Sequence, residues 1–302
     1  MHPENRLPLL LLLLSGCVCE EKPHRLPEPE TRYVVLKVLD TATGRDITEN
    51  GEAGNAELFL FTPEGEYAGQ VSVDENRITH HTPVALPGDR PGGSRICVWT
   101  NAESGQRLHV PTDGSRIEER AISLLTGSDG YHGTPDNLFF GQLRLAQTGD
   151  GSPEEIRIFR KNARLHIAVR GMDDSRPETL YYLTIGTSED GYDFEGNPMS
   201  GPVTVREEGR FDEHGDFVTR TFGMLHSDPA ATDAVTVNLY ERTEARASDR
   251  LVVSVTETDD GHPISLPAGR TTNLLIDLGK GTDASVRVEI TPWDEIYQWE
   301  IW

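Results

Sequence analysis

The chain has 302 residues, 36% of them apolar, with 28 Lys and Arg set against 50 Asp and Glu for a formal charge of −22. That balance argues against nucleic acid as a partner, since little is present to neutralise phosphates, and against peripheral attachment to anionic lipid heads. The three cysteines, Cys17, Cys19 and Cys97, supply neither a disulfide framework nor a zinc spacing.

Near the start, Arg6 precedes six consecutive leucines, Leu9–Leu14, which run into Ser15-Gly16-Cys17. The run is too short for a permanent membrane span, which needs about 20 residues. It suits the apolar segment of a secretory signal, where small residues mark the cut. Leu14-Ser15-Gly16-Cys17 resembles the bacterial lipobox, in which the cysteine is lipidated and becomes the new N-terminus. Residues 1–16 are therefore expected to be a signal peptide and Cys17 the lipidation site; the alternative is an ordinary signal peptide with an incidental cysteine. Each buried methylene contributes about 0.8 kcal/mol of membrane affinity, so a cysteine carrying several acyl chains makes a lasting tether. Residues 17–30 read as a lipidated flexible leader: Glu20, Glu21, Lys22, Pro23, Pro27 and Pro29 make it polar and proline-punctuated, without apolar periodicity. Acids placed directly after the cysteine are similar to the surface-export signal of Bacteroidetes lipoproteins.

Beyond the leader, short strand-like runs alternate with Gly, Pro, Asp and Asn. Residues 33–39 (Tyr-Val-Val-Leu-Lys-Val-Leu) predict a strand, and 55–61 predict another that ends at Pro63-Glu64-Gly65, with 67–73 as its hairpin partner. Strands are also expected over 94–101 and 138–145. Residues 117–125, with apolar side chains at 117, 121, 122, 124 and 125, have the best helical spacing in the chain. Gln147 to Pro153 breaks the pattern, and a domain boundary is placed at residue 150. The second half alternates cleanly at Ile156 and Ile158, then at Leu165, Ile167 and Val169, which puts His166 on the opposite, exposed face. Further strands are expected near 179–186, 201–206, 216–222, 234–240, 250–255, 271–278 and 284–291. This spacing predicts an all-β protein of two tandem antiparallel β-sandwiches, residues 31–150 and 151–302.

No chemistry emerges. Gly-x-Ser-x-Gly, His-Glu-x-x-His and phosphate-loop motifs are missing from the sequence, and no catalytic or metal-ligating residue, and no cofactor, is assigned. Tyr131-His132-Gly133-Thr134-Pro135-Asp136 reads as a turn, and the acids of 188–196 as solvated turn residues whose spacing does not fit a calcium loop. Cys97, in the apolar run Arg95–Trp99, reads as a small buried hydrophobe. The informative stretch is the end of the chain. In an extended conformation Tyr297, Trp299 and Ile301 share one face, a pattern able to add to a neighbour's open sheet. The same residues would equally serve to close the protein's own second sandwich, and either way such a strand must be covered.

Taken together, the lipobox Cys17, Tyr33–Val38 followed by Thr43–Thr48, Ala56–Phe61, Thr134–Gly141, Ile158–Leu165 and Val288–Asp294 resemble the lipoprotein anchor subunits of Bacteroidetes type V fimbriae. The resemblance implies transthyretin-like sandwiches, a non-enzymatic role in fixing a polymer to the outer membrane, fimbrial shaft subunits as partners, and donor-strand contacts. If the N-terminus carries the lipid, the first strand must stay in place, leaving Tyr297–Ile301 as the candidate donor. The rival is a lipid-anchored glycan- or ligand-binding protein that uses Trp99, Trp293 and Trp299 as a platform.

Overall fold

A computed structural model describes residues 31–88, 90–147, 151–227, 235–243, 249–279 and 284–299. In chain order the elements are β1 (Tyr33–Leu39), β2 (Ala56–Phe61), β3 (Tyr67–Val73), α1 (Glu75–Thr79), β4 (Val84–Ala85), β5 (Arg95–Thr100), β6 (Gln106–Leu108), β7 (Arg120–Leu124), β8 (Phe139–Arg144) and β9 (Glu154–Arg160). They continue with β10 (Asn162–Arg170), β11 (Tyr181–Asp193), β12 (Pro198–Glu207), β13 (Gly209–Phe211), β14 (Phe217–Thr219), β15 (Phe222–Leu225), β16 (Thr236–Glu241), β17 (Arg250–Val255), β18 (Arg270–Asp277) and β19 (Ser285–Pro292). The all-β reading holds. The one α-helix among the described residues is α1, a single turn capped by the Asp74 carboxylate, which accepts from Arg77 N–H at 2.9 Å.

Three sheets result. The first runs β3-β2-β5-β8-β9-β1-β4, the second β13-β14-β10-β18-β19 with β15 also on β10, and the third β17-β16-β11-β7-β6 with β12 also on β11. The expected hairpin β2–β3 turns at Gly65, whose φ of +85° favours glycine and whose N–H reaches Thr62 O at 3.0 Å. Pairing is mostly antiparallel, but β1 runs parallel to β9 and β10 parallel to β18. Thus the first strand of residues 33–160 and the first strand of residues 162–292 each lie beside a strand from the far end of the same stretch.

Two faces of the first sheet feed two cores. Val34, Leu36, Val38, Leu58, Leu60, Ile96, Val98, Ile156 and Ile158 pack on one side, with Ile78 of α1. Phe59, Phe61, Cys97 and Trp99 point the other way, into a larger core shared with the remaining sheets. There Phe59 meets Phe194 edge-on at 5.0 Å, and Trp99 stacks on Tyr192 at 5.5 Å. Burial on both faces is why β2 and β5 read as nearly unbroken apolar runs.

Two expectations are corrected. Residues 120–124 form β7, not a helix. β8 and β9, on either side of the break at 147–153, pair within the first sheet, and the chain leaves that sheet for the last time at Lys161, between β9 and β10. Moreover β6 and β7, drawn from the first 150 residues, extend the third sheet by pairing β7 with β11.

Candidate functional site at the two chain ends

Cys17, with the rest of residues 1–30, lies outside the described residues. Where the described chain begins, Arg32 donates to Glu154 Oε1 at 3.3 Å and to the carbonyl of Ala146 at 2.8 Å. β1 then enters the interior of the first sheet. It pairs with β9 from Val34 to Leu39 and with β4 at Tyr33 and Val34. Val34, Leu36 and Val38 are buried, and Val38 N–H donates to Thr48 Oγ1 at 2.8 Å. Main-chain partners on both sides and an apolar face beneath fix this strand.

The other end is held differently. After β19, Trp293 turns inward and is 9% exposed. The guanidinium groups of Arg160 and Arg164 lie 4.4 and 5.0 Å from its ring centre, and its carbonyl accepts from Thr271 Oγ1 at 2.7 Å and from Arg164 at 3.0 Å. From Glu295 to Trp299 the chain joins no strand. Its ties are Glu295 N–H donating to Pro292 O at 3.1 Å, Thr291 Oγ1 donating to Glu295 O at 2.6 Å and Tyr297 N–H donating to Asn273 Oδ1 at 3.1 Å. Tyr297 and Trp299 meet edge-on at 4.9 Å, and the Arg287 guanidinium sits 5.5 Å from the Trp299 ring. Ile296 and Tyr297 remain 52% and 39% exposed, and the buried indole N–H of Trp299 has no acceptor among the described residues. The segment is therefore laid across the second sheet, not added to it. Ile301, the third residue expected on the donor face, lies outside the described residues.

The segment borders a groove of about 310 Å³ lined by His166, Ala168, Asp216 and Val218. His166 is half-buried there and not exposed as expected, because residues 296–299 border the face on which it lies. Burial pulls its pKa below the usual histidine range.

Two adjacent cations, Arg160 and Lys161, stand where β9 ends. Arg160, buried, pairs with Glu52 and Asn137 and lies 4.8 Å from the Phe139 ring centre while also covering Trp293. Burial pulls its ionisation down to about 10, still far above neutrality. Lys161 Nζ sits 5.6 Å from Phe140 and 5.1 Å from Tyr192, and burial draws its pKa down to about 8.

The remaining motif residues serve the fold. Burial works to raise the Asp136 pKa, but hydrogen bonds from Ser104, Gly105 and Gln106 outweigh it and hold the carboxyl below the usual range. His132 bridges to Thr204. Asp190, Asp193 and Glu195 are taken up by Arg120, Asn197 and Arg95. Cys97 is buried, which pushes its thiol pKa up. Among the described residues no three His, Cys, Asp or Glu side chains are grouped to hold a metal ion. Trp99, 1% exposed, and Trp293 are core residues, so neither offers an open aromatic platform.

Against known proteins, the family model for fimbrillin-A associated anchor proteins Mfa1 and Mfa2 matches residues 26–299. A major fimbrium anchoring subunit, FimB of Porphyromonas gingivalis, is 24% identical over 312 residues, covering 96% of this chain and 95% of its own. Among solved structures, the fimbrial anchor protein Mfa2 from P. gingivalis superposes with a TM-score of 0.63 at 13% identity, covering 87% of this chain and 97% of that one. A Bacteroides thetaiotaomicron protein described as a candidate polysaccharide binder gives 0.63 at 14% identity, with the same two coverages.

Proposed function

This chain belongs to the fimbrillin-A associated anchor family, and on that premise we propose that it is an outer-membrane lipoprotein, held by acyl chains on Cys17, that fixes a fimbrial polymer through its C-terminal segment. A structural anchoring role accompanies the family; the tether and the mode of contact are our reading. Its partners would be fimbrial shaft subunits. The observation that carries it is the contrast between the two ends. β1, which follows the leader, has ladder partners on both sides, whereas residues 295–299 have none among the described residues. A subunit tethered by its N-terminus must retain its first strand, so an extended element at the far end is the part free to complete a neighbour's sheet.

Deleting residues 296–302 should release fibre from cells while the protein stays in the membrane fraction. Unchanged fibre attachment would sink the donor assignment. Cys17→Ala should instead free the protein from the membrane, and a variant that sediments with membranes as before would show that the tether lies elsewhere. A glycan-binding role is disfavoured by the burial of Trp99 and Trp293; binding on a glycan array would reinstate it.

A further inference from the structure

Edge strands are a hazard that folded proteins blunt with short length, charge, proline or a covering loop. Most edges here are treated that way. β4, β6 and β13 have two or three residues each. On β3, Tyr67 N–H donates to Ser115 O at 2.9 Å. On β19, Asp259 bonds the main chain of Val286, and the strand carries Arg287, Glu289 and Pro292. β12 is met by His132.

β17 departs from this pattern. It spans six residues, Arg-Leu-Val-Val-Ser-Val, and among the described residues its main chain pairs only with β16, in a ladder whose one register shift makes Val252 an extra residue. Its single charge, Arg250, is engaged by Glu241. Val255 is buried in the core and Val252 and Val253 pack against it, while Leu251 is 48% exposed. Leu251 also ends a row of side chains crossing the outer face of the third sheet. The Arg206 guanidinium lies 5.6 Å from Tyr131 and 4.2 Å from Tyr182; Tyr182 stacks on Tyr240 at 5.3 Å; Tyr240 stands opposite Leu251. An added strand would continue that row outside and the valine row inside.

Charge selects the occupant. Asp249, whose carboxylate accepts from Tyr182 Oη at 2.8 Å, precedes β17, and Glu257 and Asp260 follow it. Antiparallel pairing of β17 with a second copy would set the Asp249 end of one chain against the acidic end of the other, a like-charge contact that disfavours self-association. A strand with basic ends meets complementary charge at both.

We propose that the free edge of β17 docks an extended segment of another polypeptide, of about the six-residue length of β17, with alternate apolar side chains and lysine or arginine at its ends. This site is separate from the C-terminal segment and stands whether or not that segment is donated.

The test is hydrogen exchange on the detergent-solubilised full-length protein with the peptide Lys-Thr-Val-Thr-Val-Thr-Val-Lys, alongside a twin ending in glutamates. The lysine peptide should slow exchange of the 250–255 amides by roughly tenfold, and the twin should not. Leu251→Lys should weaken peptide binding by about tenfold and Leu251→Thr by less, both with unchanged circular dichroism since the side chain is half in solvent. No slowing at 250–255, equal action of the twin, or a concentration-dependent dimer that protects the same amides would overturn the proposal.

Discussion

The first strand and the last segment are built of similar residues but held by different forces. β1 places Val34, Leu36 and Val38 into a core and closes main-chain ladders with β9 and β4. The segment from Glu295 to Trp299 has comparable apolar character, yet beyond the turn bond from Glu295 N–H to Pro292 O its main chain is held by the side chains of Thr291 and Asn273, and Tyr297 stays partly in water. A strand inside a sheet gains from every backbone pair and every buried methylene at once, while a draped segment gains only from its ring contacts. The first is removed at the cost of the fold; the second leaves the ladders intact when it moves.

That contrast breaks most readily at Leu36. Leu36→Ala should cost about 2–5 kcal/mol, read as a lower urea midpoint at unchanged slope, because a buried leucine leaves a cavity. A loss of under about 1 kcal/mol would mean that β1 is as loosely held as the tail. Lys161, where the chain leaves the first sheet, tests the junction with the opposite sign. Lys161→Met should stabilise the protein at pH 7 by about 1–3 kcal/mol, since the folded state charges this amine reluctantly. Its folded pKa of about 8 lies below the ordinary lysine value of 10.5, so the unfolded chain holds more protons between those values. Wild-type stability should therefore climb from pH 8 towards 10, and that of the methionine variant should climb less. Asn273→Ala should cost about 1–2 kcal/mol, since the buried amide also donates to Glu289 O at 3.2 Å and Thr291 Oγ1 at 3.0 Å, and should speed exchange at the Tyr297 amide. Tyr297→Ala should stay within about 0.5 kcal/mol in chemical denaturation, as expected of a part-exposed side chain outside any ladder.

Much of the fold was legible because strand burial leaves a period-two trace, as at Ile156 and Ile158 or at Leu165, Ile167 and Val169. Residues 117–125 misled for a local reason. Pairing with β11 shifts register between Tyr192 and Asp193, opposite Ile122 and Arg120, so Ala121 is an extra residue and two neighbouring side chains are both buried. Ile117 lies before the strand, its N–H bonded to Gly65 O at 2.9 Å. Together they imitate helical spacing. The parallel pairs β1–β9 and β10–β18 join residues far apart in the chain, a relation that no local pattern encodes. Likewise Tyr297 and Trp299 were readable as an apolar face, but their seat was not. Asn273 and Arg287 come to them through the β18–β19 ladder, and His166 through β10 beside β18.

The double flanking of β1 has a mechanical consequence. A strand at an open edge can be peeled, its hydrogen bonds failing in turn under a small load. Tension applied at residue 31 meets instead a strand gripped by a parallel neighbour from Val34 to Leu39 and by a second neighbour at its entry, so several bonds share the strain before any yields. Resistance to such pulling is set by the height of an unfolding barrier and not by equilibrium stability. On the function proposed above, a body set between a membrane and a filament dragged by flowing liquid survives by rupturing slowly.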